Sequence, residues 1–162
     1  MHIGISHVSG FLALLTAGVM AFAQGTNPEK TSAAVQAPPG GGVKYFSKDD
    51  VAASFAKGGT LVTESNYRVM TAHRTESGNV EVHRSYTDVF YIVQGSTNIV
   101  TGGKVIGEKA TNPDEPRGDS IEGGETRKLS AGDSMVIPAG VPHWMKDVEG
   151  TLLYFVVKVK NP

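Results

Sequence analysis

His143 closes the stretch PAGVPH, residues 138–143, just after the apolar pair Val136-Ile137, and Trp144 follows it. A histidine at the end of a strand-like run serves either a turn or a metal site, because neutral imidazole is the commonest protein ligand to metals. The chain has no cysteine. Thiolate sites, disulfides and a cysteine nucleophile are therefore excluded, and any ion has to be held by His, Asp, Glu or water, which selects against soft metals. Nucleophile and phosphate chemistry lack their signatures. There is no G-x-S-x-G elbow, and TGGKVIG, residues 101–107, has neither the spacing nor the Ser/Thr of a phosphate loop.

The spacing around His143 is specific. Gly132, five residues, Pro138, one residue, Gly140, two residues, His143, three residues and Asp147 resemble the second motif of the cupin superfamily, with Asp147 in place of Asn. The first motif is resembled upstream. Counting back from Gly95 puts the acid position on Asp88, the second histidine on His83, the first on Glu81 and the leading glycine on Thr75, with Gly78 nearby. The resemblance covers residues 75–147. It implies an all-β fold, a double-stranded β-helix or jelly-roll barrel, carrying a short N-terminal helix. It also implies a divalent metal held by Glu81, His83, Asp88 and His143, where similar proteins use three histidines and a glutamate. Two imidazoles and two carboxylates favour Mn²⁺, Fe²⁺ or Zn²⁺ over Cu⁺. Asp88 is a methylene shorter than Glu, so it is expected to reach an ion poorly or through water. His73, one strand earlier, competes with Glu81 for the remaining position.

Strand geometry makes the spacing sensible. Alternation of side chains puts Glu81 and His83 on one face and Val80 and Val82 on the other. A turn then brings Asp88 in from the neighbouring strand, and His143 is expected from the opposite sheet. Phe90 and Ile92 share the parity of Asp88 and line the cavity. Trp144 and Met145 wall its mouth or pack the core. Arg84, Tyr86 and Lys104 are candidate contacts for an acidic substrate, with a solvated surface role as the alternative.

The elements that position these residues read plainly. FSKDDVAASFAKGG, residues 46–59, predicts a helix capped by Ser47, with Asp49 and Asp50 at its positive start and Gly58-Gly59 at its end. From residue 60 onward, short alternating runs separated by turns predict strands. Among these turns, Gln94-Gly95 is expected to separate DVFYIV from STNIVT. Residues 102–124, bracketed by Gly-Gly pairs, are expected to be irregular: a surface excursion or a lid over the site.

The 162 residues suit one domain, here 44–162, and a formal charge of −1 offers no reason to expect a nucleic-acid partner. Residues 10–23 form an uncharged apolar run ending in Ala21-Phe22-Ala23, an A-x-A pattern. Residues 1–23 thus read as a signal peptide too short to span a bilayer, and 24–43 as a flexible Pro/Gly-rich linker. The expected protein is exported, periplasmic or secreted, with no membrane span after cleavage. Three functions follow from the resemblance. The first is a metal-dependent enzyme acting on a small molecule, of dioxygenase, isomerase, decarboxylase or lyase type. The second is a module binding a carbohydrate or organic acid, and the third a barrel whose metal site has decayed. Similar cupins pair through sheet edges, so a homodimer is expected.

Overall fold

The structure is a computed structural model describing residues 42–110 and 112–162. The signal-peptide reading, and the linker up to residue 41, lie outside the described residues. One helix, α1 (Lys48–Lys57), is followed by ten strands: β1 (Gly59–Thr63), β2 (Tyr67–Arg74), β3 (Val80–Glu81), β4 (Tyr86–Thr101), β5 (Lys104–Ile106), β6 (Arg117–Gly118), β7 (Ser120–Glu122), β8 (Glu125–Ser130), β9 (Ser134–Ile137) and β10 (His143–Lys160). Among the described residues these strands pair antiparallel throughout. The architecture is the expected all-β jelly roll with a short helix before it.

The helix starts where its chemistry allows. Ser47 Oγ accepts from the Asp50 amide while the Asp50 carboxylate accepts from the Ser47 amide, a reciprocal cap that satisfies two otherwise orphaned donors. Phe55 alone of its residues is fully buried, edge-on to Phe155 at 5.0 Å. The helix thus covers the outer face of β2 and β10.

Two long strands organise the barrel. β4 runs for 16 residues and β10 for 18, paired with each other along both arms. The expected reversal at Gln94-Gly95 does not occur: β4 continues through it with a bend. The register against β10 slips between Lys146 and Leu153, and Gly95 adopts φ 78°. Leaving the ladder there lets one strand turn the barrel corner without ending. A Cβ at Gly95 would overlap the Thr151 carbonyl oxygen, so the crossing admits only glycine. On β10, within the same slipped stretch, Asp147 has φ 51°, the one positive-φ non-glycine residue among those described. Asn and Asp are among the non-glycine side chains that tolerate this left-handed region best, so Asp suits the position that the motif gives to Asn.

The core follows from parity. On β4 the buried positions Asp88, Phe90 and Ile92 alternate with Val89 and Tyr91; on β10 Leu152, Tyr154, Val156 and Lys158 alternate likewise. Ile92, Ile99 and Leu152 are completely inaccessible. Residues 102–124 are more regular than expected. β5 and β7 form a hairpin, and β6 pairs with β3. The Val82 amide donates to Pro116 O and the Arg84 amide to Asp114 O, which ties the excursion to the segment that carries Glu81 and His83.

Candidate metal centre

β3 and the start of β10 are hydrogen-bonded neighbours, with His143 directly across from Glu81. His143 therefore does not arrive from an opposing sheet, as expected from spacing, but from the adjacent strand. One ligand atom from each of Glu81, His83 and His143 lies within 4.8 Å of the others. Both imidazoles are buried, their ring centroids 5.2 Å apart. His83 Nε2 is 3.3 Å from Glu81 Oε2 and 3.5 Å from Asp88 Oδ2. His143 Nε2 is 3.9 Å and 3.8 Å from the same two atoms.

His143 Nδ1 is 3.1 Å from the Val141 carbonyl oxygen. A carbonyl only accepts, so Nδ1 carries the proton and Nε2 presents its lone pair to the cavity. That Nε2 is buried without a hydrogen-bond partner, as is His83 Nδ1. A buried lone pair without a donor costs free energy unless something occupies it. Burial pushes His143 below the ordinary histidine value, against the pull of the Val141 carbonyl and of Glu81 and Asp88, which favours the neutral, ligating form. Burial alone would raise Glu81. The hydrogen bond from His83 and the charges of Arg117, His143 and His83 outweigh it and hold the carboxyl well below the usual carboxylate range. The donor set is two imidazoles, that of His143 held toward its neutral form, and an ionised carboxylate, which fits a divalent metal ion.

The other residues singled out in the sequence divide. Asp88 stands beside the trio, but each of its oxygens accepts from Lys158 Nζ at 2.9 Å. His73 is elsewhere: its Nδ1 lies 3.0 and 3.1 Å from the carbonyl oxygens of Phe55 and Ala56 at the end of α1, so it caps the helix and does not compete with Glu81. Phe90 and Met145 line the cavity, whereas Ile92 lies deeper in the core. Trp144 points away, its Nε1 donating to Gly78 O. Arg84 and Lys104 are exposed and do not line the cavity; Arg84 donates to Pro113 O.

Sequence reading missed the basic side chains that enclose the site. Arg74 and Arg117 both pair with Glu81, and Glu115 Oε1 lies 3.6 Å from His83 Nδ1. One signal was available for Lys158: it shares parity with Leu152, Tyr154 and Val156 and is the first charge to follow them on that face. The cavity holding these groups measures about 270 Å³. A larger groove of about 510 Å³ lies along β8 and β9, but its lining contains no histidine and one carboxylate, Asp133. The ligating chemistry belongs to the smaller space.

The sequence matches the Cupin family over residues 60–162. The chain belongs to the cupin family. Among solved structures this cupin is similar to the DMSP lyase DddQ from Ruegeria pomeroyi DSS-3, at 14% identity and TM-score 0.47, over 65% of this chain and 47% of that one. It thus spans less than half of the DddQ chain. It is also similar to KdgF from Halomonas sp., at 19% identity and TM-score 0.47, over 65% of this chain and 80% of that one. A third similarity is to the hydroquinone 1,2-dioxygenase PnpCD, at 12% identity and TM-score 0.48, over 64% and 63% of the two chains. No curated protein matches it in sequence.

Proposed function

We propose that this cupin is an exported metal-dependent enzyme acting on a small molecule, with the ion held by Glu81, His83 and His143. The observation that carries the reading is the unpartnered, buried His143 Nε2 facing Glu81 and His83 across less than 5 Å. In this reading Asp88 is a charged neighbour engaged by Lys158 and not a ligand. A divalent ion so placed would act as a Lewis acid on a substrate oxygen.

The chain's own residues set the conditions for that chemistry. The Val141 carbonyl fixes the His143 tautomer. Without an ion His83 Nε2–H donates to Glu81; for His83 to offer Nε2 as a ligand, its proton must move to Nδ1, where the Glu115 carboxylate faces it at 3.6 Å. Arg117, with the hydrogen bond from His83, keeps Glu81 ionised, and Arg74 and Arg117 both engage its Oε1, leaving Oε2 toward the imidazoles. Met70, Phe90, Met145 and Val156 supply apolar walls that exclude water from the space a substrate would fill.

The apolar run ending in Ala21-Phe22-Ala23 supports export. The exposed outward stripe of Tyr91, Val93, Val136 and Val159 supports association of two copies. Elemental analysis of untagged protein tests the metal reading. We expect about one equivalent of a divalent metal in the wild type and less than a tenth of that in His143→Ala. Folded wild type that takes up no Mn²⁺, Fe²⁺ or Zn²⁺ would refute it.

A further inference from the structure

Four cationic side chains, Arg68, Arg74, Arg117 and Lys158, line the cavity against three carboxylates, Glu81, Asp88 and Glu115. Three of the cations are already in ion pairs. Arg74 and Arg117 share Glu81, and Lys158 holds both oxygens of Asp88. Arg68 is different. Its Nη2 donates to the Tyr86 hydroxyl at 3.3 Å, and its guanidinium lies 5.2 Å from the centre of the Tyr86 ring. Both contacts are to a neutral phenol, and among the described residues Arg68 makes no ion pair with a carboxylate.

Register fixes where that charge sits. Arg68 is directly across from Lys158, and Lys158 is directly across from Asp88, so a row of cation, cation and carboxylate crosses three adjacent strands. The next inward row is Met70, Val156 and Phe90. A cation half-withdrawn from water beside a second cation is unfavourable unless an anion joins it. The phenol holds the fork of Arg68 at the cavity without using up its charge. A planar guanidinium with free donors is the best match to a carboxylate, which it binds through two parallel hydrogen bonds.

We propose that the cavity takes a small carboxylate, anchored by Arg68 and laid over the apolar row of Met70, Val156 and Phe90, its reactive end toward Glu81, His83 and His143. This names the substrate class for the metal site and rests on that reading. The volume of about 270 Å³ lies just below the usual range of roughly 300–1,000 Å³ for small-molecule sites, which restricts the ligand to a short chain.

The test is calorimetric titration of the full protein, with and without Mn²⁺, using propionate, butyrate, hexanoate and succinate. The amides of the same acids serve as neutral controls. We expect at least one carboxylate to bind about tenfold more tightly than its amide. Arg68→Gln should abolish that preference while leaving the Mn²⁺ affinity within about twofold. Arg68→Lys should retain part of it, and Tyr86→Phe should weaken it severalfold. The proposal is overturned if no acid in the series binds, if acids and amides bind alike, or if Arg68→Gln binds the acids as the wild type does. Mn²⁺ uptake is read in the same instrument without ligand. Failure of the metal site therefore shows as absent uptake, and failure of the carboxylate site as normal uptake without discrimination.

Discussion

Lys158→Met separates two roles for Asp88. In the wild type, Lys158 is 9% and Asp88 2% accessible, and both carboxylate oxygens lie 2.9 Å from the ammonium. Methionine matches the stem of lysine in length, so the loss is mainly electrostatic. Removing one partner of a buried ion pair leaves an uncompensated charge at a cost of about 3–5 kcal/mol. Asp88 then has one remaining way to be satisfied while ionised. Its Oδ2 already lies 3.5 and 3.8 Å from the two imidazole nitrogens that face the cavity, so an ion held there can recruit it. The metal-free variant should therefore be about 3–5 kcal/mol less stable in urea unfolding, and Mn²⁺ should bind it more tightly than the wild type. A tenfold gain in affinity restores about 1.4 kcal/mol at saturating metal. The paired replacement Asp88→Leu with Lys158→Met should recover most of the stability without the gain in affinity, because no buried charge remains. Equal metal affinity in Lys158→Met and wild type, or a metal-free stability within about 0.5 kcal/mol of wild type, would refute the reasoning.

Other consequences are equally direct. Metal-free protein should lose stability as pH falls below about 6.5. His143 is depressed in the folded state relative to 6.5, so below that value the unfolded chain binds the extra proton first and stability rises with pH across the window. His143→Gln should flatten that slope in thermal melts followed from pH 7 to 5. Gly95→Ala should destabilise by about 3 kcal/mol or more, since a left-handed backbone costs roughly 1–2 kcal/mol and the added methyl meets the Thr151 carbonyl besides. Gly102→Ala, with φ 72° and open space around it, should cost only the first of these; similar losses at both sites would contradict the account of the corner. Ser47→Ala removes the acceptor for the Asp50 amide and should lower stability by about 1 kcal/mol in denaturant titration, with no change in metal content.

The linear pattern carried much of this. Strand parity put Asp88, Phe90 and Ile92 on one face, because successive residues on a strand take opposite faces, whereas the unbroken apolar run Leu152–Val157 does not show by itself which of its side chains turn inward. The resemblance of the spacings about Gly95 and His143 to the two cupin motifs marked Glu81, His83, Asp88 and His143, of which Glu81, His83 and His143 form the close trio. Ser47 and Asp50 announced the helix, whose cap is a local interaction within one turn. What the linear pattern could not carry was set by pairing between distant segments. Whether Gly95 reverses a chain or bends it depends on the partner strand around Thr151. The fate of His73 depends on a helix end 18 residues away. That Asp88 meets Lys158, 70 residues on, and that Arg68 falls beside that pair, follows only from the register of three strands. Ion pairs and cavities are properties of distances in space, and those exist only once non-local strands have aligned.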